Sequence, residues 1–164
     1  MAKKIKTKLT LPSDQELVIT RTFDAPRDLL WQMWTTAEHL RNWWGPEGWT
    51  LPVCEMDFRP GGSWFYCMEG PDDMQSCGIA RYLEIEPPQR IVYEDAFADA
   101  EGNVVEGMPV AQIILEFIAE GDKTTVISIT RYPTKEDRDK VLEMGLEAGI
   151  DQTMNRLDDY LAQF

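Results

Sequence analysis

The sequence predicts an α+β fold in which an antiparallel sheet of about seven strands is combined with two short helices after the first strand and a long C-terminal helix. Residues 51–132 alternate between short β-branched or aromatic runs and turn-forming residues, which is typical of a strand meander. From Thr134 to the C-terminus, leucine and methionine recur at helical spacing instead. The short connections make neighbouring strands antiparallel, and 164 residues fit one domain.

The predicted domain covers residues 16–164 and follows a polar, lysine-rich lead-in over residues 1–15 that we expect to be flexible. Its first strand is the alternating, β-branched run at residues 17–23. Asp24-Ala-Pro26 then places an N-cap and a proline at a helix start, and apolar residues at helical spacing continue to about Thr36.

A second short helix is predicted over residues 37–44, and it ends at Gly45-Pro46 because proline cannot continue a helix. Six strands follow. They are predicted at residues 53–58, 64–68, 78–85, 91–97, 110–118 and 124–131.

The strand at residues 64–68 is apolar on both faces. The two-residue period places Trp64, Tyr66 and Met68 on one face, and Phe65 and Cys67 on the other. We therefore expect one face to meet the core and the other to meet a different part of the protein.

A capping-box-like Thr134-Lys-Glu-Asp137 starts the C-terminal helix, which is predicted to run without a break to the end of the chain. Gly145 and Gly149 lie on one face of it, and each costs about 1 kcal/mol relative to alanine. Either the helix approaches the sheet closely at these glycines, or the missing side chains leave space for a ligand. We favour close packing.

Composition narrows the range of partners. The chain has 29 acidic and 16 basic side chains and a net charge of −13, so it repels phosphate backbones and anionic lipid surfaces. We expect no nucleic acid partner and no membrane insertion.

No apolar signal-peptide core follows the basic start, which favours a cytoplasmic protein. Cys54, Cys67 and Cys77 lack metal-site spacing, and we interpret them as reduced residues within strands. Their spacing also allows a disulfide, which we favour less because a domain of this size does not need one.

The sequence offers little catalytic chemistry. His39 is the single histidine, and no Gly-x-Ser-x-Gly motif, metal-ligand cluster or phosphate-binding loop is present. We therefore predict no catalytic residue, no metal and no cofactor, and an enzyme is the less favoured interpretation. Six carboxylates lie on or beside predicted strands, where one can point inward, but no acid–base pair stands out. They are Glu55, Asp57, Glu69, Glu84, Glu94 and Asp95.

Several motifs together resemble a known family. They are Thr22-Phe-Asp-Ala-Pro26, Trp43-Trp-Gly-Pro46, Asp57-Phe-Arg-Pro-Gly-Gly62, Glu84-Ile-Glu-Pro-Pro88 and Met144-Gly-Leu-Glu-Ala-Gly149, with Leu157 in the last helix. Over residues 16–163 the chain resembles the START-like (SRPBCC) helix-grip superfamily, and within it the family named after the activator of the heat-shock-protein-90 ATPase. It departs from the family pattern at Ile150, where many relatives carry tryptophan.

The resemblance implies a curved antiparallel sheet that grips the C-terminal helix, with a cavity between them. The residue types that suit an apolar ligand there are large aromatic and adaptable sulfur side chains, although each of them can equally fill an ordinary core. The candidate cavity residues are Trp64, Tyr66, Met68, Tyr82, Phe97, Met144, Gly145, Gly149 and Met154. The candidate interaction surface consists of Trp43, Trp44 and Trp49.

Three functions are compatible with this resemblance, and each is an argument by analogy. The first is non-catalytic binding of a small hydrophobic molecule in the cavity. The second is a protein-interaction module that regulates a chaperone ATPase, which would connect the protein to the stress response; exposed aromatic residues would serve a protein partner or a homodimer. The third is an enzyme acting on a polyketide-like or aromatic substrate through an inward carboxylate or Tyr66.

Overall fold

The computed structural model describes residues 7–164 and confirms the α+β fold, with eight strands where the sequence predicts about seven. The strands are β1 (Lys8–Thr10), β2 (Glu16–Phe23), β3 (Thr50–Met56), β4 (Ser63–Glu69), β5 (Gln75–Glu86), β6 (Arg90–Ala98), β7 (Val110–Glu120) and β8 (Lys123–Arg131). The helices are α1 (Arg27–Thr35), α2 (Ala37–Trp43), α3 (Lys135–Glu143) and α4 (Leu146–Leu161).

All eight strands form one antiparallel sheet in the order β1-β2-β8-β7-β6-β5-β4-β3. Strand β2 pairs along its whole length with β8, from Glu16 opposite Arg131 to Phe23 opposite Thr124. The additional strand, β1, pairs with β2 and lies inside the predicted lead-in. Residues 1–6 of that lead-in lie outside the described residues.

The helices cover one face of the sheet, here called the inner face, and the main core lies between the two layers. Phe117 of β7 is almost completely buried and contacts the rings of Trp31 and Trp34, each with its centroid 5.4 Å away. Leu157 and Leu161 of α4 belong to the same core. Helix α1 thus meets β7 and β8, and α2 meets β3.

The C-terminal helix is not continuous, and this corrects the sequence prediction. Thr134 caps α3 by accepting a hydrogen bond from the amide of Asp137 at 3.1 Å. Gly145 then adopts a left-handed conformation with φ +87°, and α4 begins at Leu146. A left-handed residue ends a helix, and glycine adopts that conformation without a Cβ penalty. The break therefore occurs at a residue that the sequence placed inside the helix.

The outer face of the sheet carries a second apolar cluster that contains a disulfide. Cys67 of β4 stands directly opposite Cys77 of β5, and the two are bonded with a Cα–Cα distance of 4.1 Å. The prediction of three reduced cysteines is therefore wrong for this pair, because the antiparallel register brings both thiols to one face of neighbouring strands. Phe65 packs on the same cluster, while Cys54 remains free and buried.

Within residues 7–164, none of the helices is long and apolar enough to span a membrane. The same part of the chain brings together no group of three or more histidine, cysteine, aspartate or glutamate side chains able to hold a metal ion. The cytoplasmic location stays a prediction.

Candidate ligand-binding cavity

A cavity of about 430 Å³ lies between the inner face of the sheet and the C-terminal helices. Most of its wall is apolar. The sheet contributes Leu17, Ile19, Tyr66, Met68, Tyr93, Phe97, Ala111, Ile113, Leu115 and Val126, and the helical side contributes Trp34, Trp44, Val141, Leu146, Ile150 and Met154. Such a volume and lining are typical of pockets that bind small organic molecules.

The glycines of the C-terminal helices border this cavity without packing tightly against the sheet. A Cβ on Gly145 would have no neighbour within 4 Å, and a Cβ on Gly149 would lie 3.5 Å from Cγ of Pro46, an ordinary contact. The close packing that we favoured at these positions is therefore absent. Met144 lines the cavity with 59% of its surface exposed, which places it at the rim.

Polar contacts hold α4 over the cavity. Arg156 of α4 donates to the carbonyl oxygens of Gly45 at 2.8 Å and Pro46 at 3.2 Å, in the loop after α2. Nearer the C-terminus, Nδ1 of His39 lies 2.8 Å from the hydroxyl of Tyr160, so the single histidine joins α2 to α4. These contacts tie α4 to α2 and to the loop after it, whose residues Gly45 and Pro46 also line the cavity.

Among the residues that the structure describes, one carboxylate lies in the cavity wall, that of Asp95 on β6. The hydroxyl of Tyr66 lies 3.2 Å from Oδ1 and 3.1 Å from Oδ2 of Asp95 and donates to the carboxylate. Tyr66 comes from β4, two strands away in the sheet, and its ring reaches across Gly78 of the intervening β5. A glycine at this position is what lets the phenol lie flat against the sheet and meet the carboxylate.

Burial dominates the electrostatics of this pair. Desolvation raises the pKa of Asp95 to about 7, and the hydrogen bond from Tyr66 lowers that pKa only in part. Desolvation, together with the nearby Asp95 carboxylate, also raises the pKa of Tyr66 well above its usual value. The phenol is therefore protonated and available as a donor, while the carboxyl changes its charge near neutral pH.

A buried cation lies elsewhere on the same wall. Arg21 of β2 is 2% exposed and donates to Oδ1 of Asn155 at 2.8 Å and, over 3.4 Å, to Oδ2 of Asp158, both on α4. The sheet order places β8 and β7 between Arg21 and Asp95, about 14 Å at the usual strand spacing. Arg21 thus ties β2 to α4 and is not an ionic partner of Asp95.

Comparison with known proteins agrees with this architecture. The model of the family described as activator of Hsp90 ATPase homolog 1-like protein matches residues 24–162. The chain belongs to this family. The resemblance inferred from the sequence motifs is therefore confirmed. Among curated proteins, none matches the sequence.

Solved structures of other proteins are similar to this chain along nearly its whole length. A crystal structure from Mycobacterium smegmatis is 29% identical, with a TM-score of 0.88, and the match covers 95% of this chain and 96% of that one. A solution structure from Staphylococcus epidermidis is 34% identical, with a TM-score of 0.80 and 93% of both chains covered. A solution structure from Arthrobacter aurescens is 27% identical, with a TM-score of 0.86, covering 96% of this chain and 92% of that one.

In this family member, seven of the nine residues that the sequence suggested for the cavity line it. They are Tyr66, Met68, Phe97, Met144, Gly145, Gly149 and Met154. Trp64 and Tyr82 do not: both are 2% exposed and lie in the core, and the indole of Trp64 donates to Sγ of Cys54 at 3.3 Å. They share the inner face but lie on a part of it that other side chains cover.

The three tryptophans suggested as an interaction surface do not form an exposed group. Trp43 is fully buried and its indole donates to the carbonyl oxygen of Met33 at 3.2 Å, so it cannot contact a partner. Trp44 is half-buried and lines the cavity, with its centroid 4.9 Å from that of Trp64. Trp49 lies over Gly70, where a Cβ would come within 2.5 Å of the indole. Trp43 and Trp44 pack inward because the end of α2 lies against β3.

Sequence reasoning did not single out Asp95, Arg21 or Trp44 as cavity residues. A signal was present for Asp95, since the two-residue period places it between Tyr93 and Phe97 on the inner face. Arg21 likewise alternates with the apolar residues of β2. Neither signal distinguishes a buried polar residue from one that faces water at a sheet edge.

Proposed function

We propose that the protein binds a small hydrophobic molecule, without catalysing a reaction, in the cavity between the inner face of the sheet and helices α3 and α4. The cavity itself carries the proposal. Protein interiors normally pack to near-crystalline density, whereas this domain keeps about 430 Å³ open beside its core. Contacts such as that of Arg156 with the loop after α2 maintain the space instead of closing it.

The apolar lining supplies the driving force. A ligand that removes about 300 Å² of apolar surface from water gains on the order of 7 kcal/mol before the losses of rotational and translational freedom. Aromatic rings from Trp44, Tyr93 and Phe97 face the space, and Met68 and Met154 add flexible side chains that adapt to ligand shape.

The protein-interaction alternative has weaker support. Its proposed anchors were Trp43, Trp44 and Trp49, and Trp43 is in the core while the other two are only half-exposed. Hot-spot residues need to be available to a partner. Regulation of a chaperone ATPase therefore rests on the family description and not on these tryptophans.

Native and denaturing mass spectrometry of freshly purified protein is the first test. A reproducible non-covalent mass that disappears on denaturation identifies a bound molecule. In parallel, calorimetric titration with naphthylethanol, a neutral apolar probe, measures whether the cavity accepts a ligand. Ser128 faces the cavity and makes no side-chain hydrogen bond within the described chain, so Ser128→Phe should fill the space and reduce affinity at least about ten-fold.

Ile127→Phe is the matched control, because Ile127 is the neighbouring residue of β8 and points to the outer face. It should change probe affinity less than about two-fold. Equal affinities of the two variants would contradict binding in this cavity. So would a protein that purifies without a ligand and does not bind the probe.

A further inference from the structure

We propose that the cavity selects an apolar molecule that carries one protonated amine, with the ammonium group paired to the carboxylate of Asp95. This inference rests on the proposed binding function of the cavity and specifies the chemical class of its ligand.

The first argument is the hydrogen-bonding capacity that Asp95 leaves unused. A carboxylate can accept about four hydrogen bonds, and within residues 7–164 the only hydrogen-bond donor to Asp95 is the hydroxyl of Tyr66. The ion pairs of the described chain do not include Asp95. A buried carboxylate without a cation is costly unless it is neutralised or paired. Because this carboxylate borders open space, a ligand can supply the missing partner.

The second argument is the aromatic character of the wall around that carboxylate. Tyr66 contacts Asp95 directly, Tyr93 precedes it by two residues on the same face of β6, and Phe97 follows it by two. Trp44 completes the group, with its ring centroid 5.9 Å from that of Tyr66. Aromatic faces attract cations through their quadrupole. A carboxylate set among such rings therefore favours an ammonium group over a neutral hydroxyl of the same size.

Among residues 7–164, no cationic side chain is paired with Asp95. The titratable groups that face Asp95 are the phenols of Tyr66 on β4, Tyr82 on β5, Tyr93 on β6 and Tyr132 after β8, all with raised pKa values. The charged groups lining the cavity in the described part of the chain are Asp95 and Arg21, and Arg21 is bound to Asp158. Helices α3 and α4 line the cavity with uncharged residues such as Leu146, Ile150 and Thr153.

The protonation of Asp95 adds a pH signature. Its pKa of about 7 means that acidification converts the carboxylate into a neutral group that no longer attracts an ammonium ion. Amine affinity should therefore fall below neutral pH. The net charge of −13 acts in the same direction as the carboxylate, since it raises the local concentration of cations around the protein.

The experiment uses three probes with one ring system and one substitution pattern: naphthylethylamine, naphthylethanol and naphthylacetate. Each carries a two-carbon side chain on the naphthalene ring, and that side chain ends in an ammonium, a hydroxyl or a carboxylate group. Calorimetric titration of the full chain at pH 8 should show that the amine binds at least about ten-fold more tightly than the alcohol, as expected for a charge-assisted hydrogen bond. The acetate should bind most weakly. At pH 5.5 the preference for the amine should shrink to about two-fold or less.

Asp95→Asn is the decisive variant, since the amide keeps an acceptor for Tyr66 and removes the charge. It should abolish the preference for the amine and its pH dependence while leaving naphthylethanol affinity within about two-fold. Glu94→Gln is the matched control, because Glu94 is the exposed neighbour of Asp95 on the opposite face of β6. It should leave all three affinities unchanged. Thermal unfolding of both variants verifies that they are folded.

The outcomes separate this inference from the proposed function. If none of the probes binds wild-type protein, the binding function itself fails. If the alcohol binds but the amine has no advantage, or if Asp95→Asn keeps the amine preference, the cavity binds apolar molecules and the amine assignment is wrong. Tightest binding of the acetate would point to Arg21 as the recognition group and would also overturn it.

Discussion

The ring of Tyr66 lies across Gly78, its directly opposite partner on β5, so closely that a Cβ on Gly78 would come within 2.5 Å of the phenol carbon Cζ. The same phenol donates to Asp95 on the strand beyond. Because Gly78 has no side chain, the phenol of Tyr66 can lie over it and donate its hydrogen bond to Asp95.

Gly78→Ala should displace Tyr66 and lower the free energy of unfolding by about 1–3 kcal/mol, the usual cost of an overpacked contact. Because the hydrogen bond from Tyr66 lowers the pKa of Asp95, its loss should raise that pKa further. Urea denaturation measures the first effect, and NMR titration of the Asp95 carboxyl measures the second.

A double-mutant cycle with Tyr66→Ala provides the control for this substitution. Once the ring is removed, Gly78→Ala should cost less than about 0.5 kcal/mol, because the clash has no partner. An equal cost in both backgrounds would show that the steric contact with Tyr66 is not the cause.

Asp95→Asn should stabilise the protein at alkaline pH and have little effect in acid. Burial raises the pKa of Asp95 in the folded state to about 7 from its ordinary value of 3.8, so between these pH values the folded state binds more protons than the unfolded state. Stability therefore falls as pH rises through that window. At pH 8 the variant should exceed wild type by about 2–4 kcal/mol in the free energy of unfolding, and at pH 4 the two should nearly agree.

Urea denaturation of wild type, Asp95→Asn and Glu94→Gln between pH 4 and pH 8 checks this expectation. The strongly acidic surface also makes stability depend on pH, so the informative quantity is the difference between Asp95→Asn and wild type. The free energy of unfolding of Glu94→Gln should change with pH in the same way as that of wild type. A constant difference for Asp95→Asn across the range would mean that Asp95 titrates normally.

Alanine substitutions at the two glycines of the C-terminal helices should have opposite effects. Gly145→Ala forces an L-residue into a conformation with φ +87° and should destabilise the protein by about 1–2 kcal/mol. Gly149 lies inside α4 and a Cβ there makes only an ordinary contact with Pro46, so Gly149→Ala should stabilise by about 0.5–1 kcal/mol. Thermal unfolding followed by circular dichroism at 222 nm measures both. Destabilisation of similar size by both variants would argue for one continuous, tightly packed helix.

Individual helices and strands could be predicted from the sequence because each depends on residues close together in the chain. The alternation at residues 17–23 led to β2, which spans Glu16–Phe23, and Gly45-Pro46 marked the end of α2 at Trp43. The predicted face containing Tyr66 and Met68 likewise borders the cavity. Periodicity and turn chemistry are short-range signals, and they carry over directly into secondary structure.

Other features depend on which distant segments become neighbours. The Cys67–Cys77 bond required the register of β4 against β5, and the burial of Trp43 required α1 to lie beside α2. A helical pattern in the sequence likewise did not reveal that Gly145 is left-handed, because apolar spacing continues on both sides of the break.

Residue type and spacing alone were enough to predict the order of the elements from β2 to β8, the apolar inner face and the family motifs, whereas β1 and the break between α3 and α4 were not predicted. Only the tertiary structure decided which carboxylate among six lies beside an open cavity. Asp95 lies there with a hydrogen bond from Tyr66, which reaches it across Gly78, while Arg156 ties α4 to the loop after α2. A cavity is the space left between elements, and desolvation depends on everything around a group, so neither is encoded at any one position in the chain.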